Sequence, residues 1–242
     1  MKNILASITI AWFSVSAHAS TLYHYQFETS DPTVNAGSGS ATAIAAGSIT
    51  STAGGASGNF GDFDGGNVAG SDVIDLNLAG DAISLGSFTI SLSINDSSAT
   101  SYDDFIGFNT SAGTNLVLER QGGALEANNR MTLTDLTNSN GIATAIGALA
   151  EGSWADFSVI GRTSGADAVL ELMTGTTSNG FLTVTGGASQ TLANFRIGGR
   201  LGADNRYVEA GIDEVKITNV PEPSSTALLG LGGLALLFRR RK

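Results

Sequence analysis

The chain has 242 residues, 42% of them hydrophobic and 7% aromatic, with 32 glycines, no cysteine and a formal net charge of −10. That length fits one all-β domain between short end segments and excludes two full domains. The acidity excludes nucleic acid as a partner, and the missing cysteines exclude disulfides, thiol nucleophiles and thiolate zinc sites.

Met1-Lys2-Asn3 gives a positive start, residues 4–15 an apolar run, and Ala17-His18-Ala19 a small-x-small site. These are the parts of a signal peptide, an N-terminal helix over 1–19 cleaved between Ala19 and Ser20. From Ser20 to Phe238 the chain carries 7 Lys and Arg against 22 Asp and Glu, a charge of −15. Such a surface repels phosphates and anionic headgroups and attracts cations.

In residues 23–27, Tyr23, Tyr25 and Phe27 fall on one face of a strand. Residues 35–58 are almost wholly Gly, Ala, Ser and Thr. They read as an irregular loop with one weak strand at 46–51. Residues 87–94 are the clearest strand, with Phe88, Ile90, Leu92 and Ile94 on its core face. Period-two runs bounded by turn residues predict further strands at 115–119, 130–136, 154–161, 168–173, 180–185, 195–199 and 211–218. In the last of these, Ile212, Val215 and Ile217 read as core, Asp213 or Glu214 as a cap or ion-pair partner, and Gly211 as a bulge. No amphipathic helix competes, so the class is all-β: an antiparallel β-sandwich or jelly roll over residues 20–219.

The end segment, 220–242, has three parts: Val220-Pro221-Glu222-Pro223, an apolar stretch at 224–238, and the basic cluster Arg239, Arg240, Arg241 and Lys242. The two prolines predict an extended, protease-accessible strip. As a transmembrane helix the apolar stretch spans roughly 22 Å against a hydrocarbon core of about 30 Å, a short anchor with its basic end in the cytoplasm.

His24 is the one histidine left after signal removal, so a Ser-His-Asp triad would have to form around the first strand. Glycoside hydrolysis needs only two placed carboxylates and stays open. Calcium is the cofactor that oxygen-rich acidic loops suit. Its candidate ligands are Asp62 and Asp64, with Asp72 and Asp75 nearby, Asp103 and Asp104, and Asp204 beside Asn205. Turn-forming, solubilising acids are the other reading of the same residues.

The tail, with Pro-Glu-Pro, a weak span and an arginine cluster in that order, resembles the PEP-CTERM sorting signal. That resemblance implies export in a Gram-negative bacterium, recognition of Pro221, Glu222 and Pro223 by an exosortase, removal of the tail, and a surface or matrix destination linked to exopolysaccharide and biofilm. Before processing the chain would be held transiently in the membrane.

Between the ends, several collinear phrases are similar to landmarks of laminin G-like, concanavalin A-like lectin/glucanase domains. They are Tyr25-Gln26-Phe27-Glu28, Phe63-Asp64-Gly65, Gly86-Ser87-Phe88-Thr89-Ile90-Ser91, Gly152-Ser153-Trp154, Phe195-Arg196-Ile197-Gly198-Gly199, and Gly211-Ile212-Asp213-Glu214-Val215-Lys216-Ile217. The long Gly/Ser segment and Ala155-Asp156 depart from that pattern. The resemblance implies a non-enzymatic adhesion or glycan-binding domain with extracellular polysaccharide as partner. A polysaccharide-cleaving glycosidase and a purely structural matrix protein are the alternatives. The laminarinase-like Glu-x-Asp-x-x-Glu array is missing from the stretch Glu209 to Glu214.

Overall fold

The computed structural model describes residues 19–64, 72–96, 103–121, 130–145, 147–202 and 208–220, all within one compact unit, Ala19–Val220. The signal segment 1–18, Asp204, the Pro-Glu-Pro motif, the apolar stretch and the basic cluster lie outside the described residues. So do the side chains of Asp64 and Gln121. Among the described residues no helix is long and apolar enough to cross a membrane.

Alternating apolar residues build the strands, and Gly-, Asn- and Asp-rich turns separate them. The first eight in chain order are β1 (Ser20–Tyr25), β2 (Ala43–Ala46), β3 (Thr50–Ala53), β4 (Asn59–Asp64), β5 (Val73–Asn77), β6 (Ser87–Asp96), β7 (Asp104–Thr110) and β8 (Asn115–Gln121). They are followed by β9 (Arg130–Asp135), β10 (Asn140–Ala143), β11 (Trp154–Ser164), β12 (Asp167–Thr174), β13 (Thr177–Val184), β14 (Leu192–Ile197) and β15 (Glu209–Asn219). Eight form one sheet in the order β13-β12-β11-β6-β15-β4-β3, with β1 also on β15, and seven form the other in the order β10-β9-β8-β7-β14-β5-β2. Every pairing is antiparallel. The expected all-β sandwich is therefore the fold.

The core lies between the sheets. Phe88, Ile90, Leu92 and Ile94 of β6 are at most 2% exposed. Phe88 meets Phe108 of β7 across the gap, edge to face at 6.2 Å between centroids, and Phe108 stacks on Phe195 of β14 at 6.5 Å. Tyr23, Tyr25 and Phe27 point into the same core, as their alternation predicts.

β15 organises the eight-stranded sheet. One side pairs along β6, while the other is shared: residues 209–212 pair with β4 and residues 215–219 with β1. The two halves are offset by a bulge between Asp213 and Lys216, where Glu214 takes a left-handed φ of 52°. The bulge thus sits beyond Gly211, which is regularly paired with Asn95 and Asp62.

Residues 35–58 correct a second expectation. They contain two strands, β2 and β3, and the predicted weak strand at 46–51 takes in the end of β2, the turn at 47–49, where Gly47 has φ 86°, and the start of β3. Ala and Gly have weak strand preference alone. Pairing supplies what composition does not: β2 lies on β5, whose Ile74 and Leu76 are buried, and β3 lies on β4, whose Phe63 is fully buried.

Candidate functional site

The outer face of the eight-stranded sheet brings together residues from four distant stretches. Trp154 begins β11 opposite Asn95 of β6, Asn95 is opposite Gly211 of β15, and Gly211 is opposite Asp62 of β4. Phe60, two residues before Asp62, shares that face, and its ring meets the Trp154 indole edge to face at 5.4 Å. Gly211 makes room for the pair, since a Cβ there would lie 2.8 Å from the Phe60 ring and 3.2 Å from the indole. Both rings are half-buried.

Residues 54–58 form a strap over this face. Gly54 and Gly55 donate to the Gly58 carbonyl, and the Trp154 Nε1–H donates to the Gly54 carbonyl at 3.0 Å. The Ser57 N–H donates to Asp213 at 2.9 Å, and the Asn59 N–H to Glu28 at 3.3 Å. Asp213 is fully buried, and its second oxygen accepts the Glu214 N–H at 2.7 Å. Burial pushes its carboxyl above the usual carboxylate value, the nearby Glu214 and Glu28 charges adding to the effect against these two hydrogen bonds. Glu214 faces away from the strap. Burial alone would raise its carboxyl, but contacts from Lys216, His24 and Gln26 bring it below the usual value. His24, on the face of β1 opposite the buried Tyr23 and Tyr25, has its Nε2 2.9 Å from the Glu214 carboxylate.

An aromatic pair flanked by Asp62, Asn95 and Asp156 has the two-sided chemistry of a sugar site. The C–H face of a pyranose packs on an indole, and its hydroxyls bond to carboxylates and amides at the rim. The opposite sheet offers a shallow groove of about 480 Å³ between β9 and β10, lined by Thr132, Thr134, Leu136 and Ile142 among others. It contains no ring to stack against.

The acids named as calcium candidates are mostly placed in strands and not in loops. Asp62 and Asp64 lie in β4, Asp75 in β5 and Asp104 at the start of β7. Asp75 takes a two-pronged contact from Arg196 at 2.6 and 2.8 Å, and Asp104 one from Arg200 at 2.5 and 3.1 Å. Asp103 lies 3.5 Å from the buried Arg120. Among the described residues no three His or acidic side chains gather as metal ligands.

Residues 219–242 match the model of the PEP-CTERM protein-sorting motif. No curated protein matches the chain. Among solved structures the sandwich is similar to domain 4 of AbnA, an extracellular arabinanase of Geobacillus stearothermophilus, solved in complex with arabinotriose. The TM-score is 0.52 at 18% identity, over 84% of this chain and 93% of that one. It is also similar to the receptor binding domain of a botulinum neurotoxin C/D mosaic, with TM-score 0.56 and 12% identity over 88% of this chain and 51% of that one. A third similar structure is of botulinum neurotoxin type C, whose cell entry depends on two ganglioside molecules: TM-score 0.59, 10% identity, 87% of this chain and 50% of that one. The chain thus spans about half the length of the neurotoxin structures it matches, and identities this low show the fold alone.

Proposed function

We propose that the chain is an exported, exosortase-processed surface protein whose sandwich, residues 20–219, is a non-enzymatic glycan-binding domain held at the cell surface or in its polysaccharide matrix. The observation that carries this reading is the match of residues 219–242 to a protein-sorting motif. In it, residues 1–19 are the removed signal, Pro221, Glu222 and Pro223 are what the exosortase recognises, and Arg239 to Lys242 stay cytoplasmic until the tail is cut. Glycan binding draws on the Trp154 and Phe60 rings with their polar rim, and on a fold shared with proteins solved with an arabinose oligomer or dependent on gangliosides. Asp213 and Glu214 of the closing strand do not favour catalysis. Both Asp213 oxygens accept backbone N–H groups, and Glu214 is engaged by Lys216, His24 and Gln26.

The test is binding of the processed protein to the producer's exopolysaccharide and to a glycan array, with calcium or with chelator. Binding is expected, and Trp154→Ala should weaken it about fivefold or more, the loss of an aromatic anchor worth more than roughly 1 kcal/mol. No binding in either condition, or full binding by the variant, overturns the glycan reading. Replacing Pro221-Glu222-Pro223 by three alanines should leave the tail attached; an unchanged mature mass overturns exosortase handling.

A further inference from the structure

The chain has no Lys or Arg between Lys2 and Arg120, and none between Arg130 and Arg162. The strap at 54–58, β4 and β6 lie in the first of these stretches, and β11 from Trp154 to Gly161 lies in the second. The elements around the Trp154 and Phe60 rings thus bring no basic side chain to them. Farther along the same face of the sheet stand Arg162 of β11 and Lys216 of β15, and each is bonded to an acid, Arg162 to Glu171 and Lys216 to Glu214.

The acids are placed differently. Asp156 is exposed and follows Trp154 by two residues on β11, so both stand on one face of the strand. Its Oδ1 accepts the Ser93 hydroxyl at 2.6 Å, which holds the carboxylate on the indole's side of the sheet. Asp62 follows Phe60 at the same interval on β4, and the exposed Glu209 precedes Gly211 at that interval on β15. A rim of neutral groups would serve any sugar, but a carboxylate beside an aromatic ring discriminates by charge. An ammonium within about 6 Å of a ring centroid is attracted by the ring quadrupole and by the carboxylate together, whereas a uronate or sulfate is repelled by both.

We propose that the ligand at the Trp154 and Phe60 rings is a cationic amino sugar, a polysaccharide with free, protonated amines such as a glucosamine chain without N-acetyl groups. The C–H face of the sugar packs on a ring, and its ammonium meets Asp156. This rests on the glycan reading given above and narrows it to one charge class. The rest of the domain acts in the same direction, because a charge of −15 from Ser20 to Phe238 gathers polycations and turns polyanions away.

Titration calorimetry of the processed protein with two hexamers tests this, one of glucosamine and one of N-acetylglucosamine, which share ring faces and linkage and differ in charge. At a pH where the amines are protonated, the glucosamine hexamer should bind about fivefold tighter or more, and added salt should shrink that margin. Asp156→Asn should narrow the margin. Asp167→Asn makes the same change of charge at the far end of β11's pairing with β12 and should leave the margin as it is. Trp154→Ala should weaken binding of both hexamers. Failure of the glucosamine hexamer to bind, or an equal or higher affinity for the N-acetylated one, overturns the proposal, and the glycan reading then stands or falls on the array alone. A margin that Asp167→Asn narrows as much as Asp156→Asn overturns it too. So does polylysine that displaces the hexamer and is indifferent to Trp154→Ala, since either result marks attraction to the overall charge and not to this site.

Discussion

Asp213 and Glu214 are adjacent in sequence, and the bulge sends them to opposite duties. The Asp213 carboxyl is raised by burial, so its contribution to stability is complete below the unfolded carboxylate value and is lost as pH rises through the folded value. The Glu214 carboxyl is lowered by its partners, so its contribution is present above the unfolded value and is lost as pH falls through the folded value. Urea unfolding at stepped pH should show this opposition. The stability advantage of the native protein over Asp213→Asn should shrink as pH rises across the carboxylate range, and its advantage over Glu214→Gln should grow. Slopes of the same sign would sink the assignment. The sequence supports both roles in outline, because an acid at a strand irregularity satisfies backbone donors or pairs with a cation. It does not tell which acid does which: Ser57, the partner of Asp213, is 156 residues away.

The strands that the sequence revealed are those with strong alternation of large apolar residues, β6 and β11 above all. Those it concealed, β2, β3, β4, β5, β7 and β10, are short, rich in small residues or studded with acids. In β4, Asn59-Phe60-Gly61-Asp62-Phe63-Asp64, the acids suggested a metal loop. Yet Phe63 is buried while Phe60 and Asp62 share the other face, a period-two pattern that would have yielded both the strand and the missed ring. Of the candidate site, Trp154 and Gly211 stood out as members of family-like phrases, but their meeting with Phe60 depends on β4 and β11 flanking the β15 and β6 pair. Gly211 is the element-scale control. Gly211→Val forces a side chain into the Phe60 ring and should cost about 1–3 kcal/mol, as overpacking does. It should also shift the Trp154 fluorescence, and shortening the neighbour with Phe60→Ala in the same chain should recover much of the loss. If Gly211→Val leaves stability and emission unchanged, the rings do not rest on that glycine.

Among the described residues the two sheets are joined by apolar packing, and at one end a charge is buried between them. Arg120 of β8, 2% exposed, donates to Asp96 at the end of β6 in the other sheet, and its second amino group lies 3.5 Å from Asp103. Asp96 and Asp103 are themselves 0% and 1% exposed. In a chain without disulfides this is an electrostatic tie across the core. Bringing three charges out of water consumes much of what their attraction returns, so the tie adds little net stability while intact; its removal is the costly event. Arg120→Met should lose about 3–5 kcal/mol, because two carboxylates then stay buried without their cation. Adding Asp96→Asn and Asp103→Asn should recover most of it at neutral pH, which separates the stranded charge from simple loss of packing around the arginine stem. Denaturant unfolding of the three variants decides the matter, and a loss below about 1 kcal/mol for Arg120→Met would mean that the core alone holds the sheets together at this end.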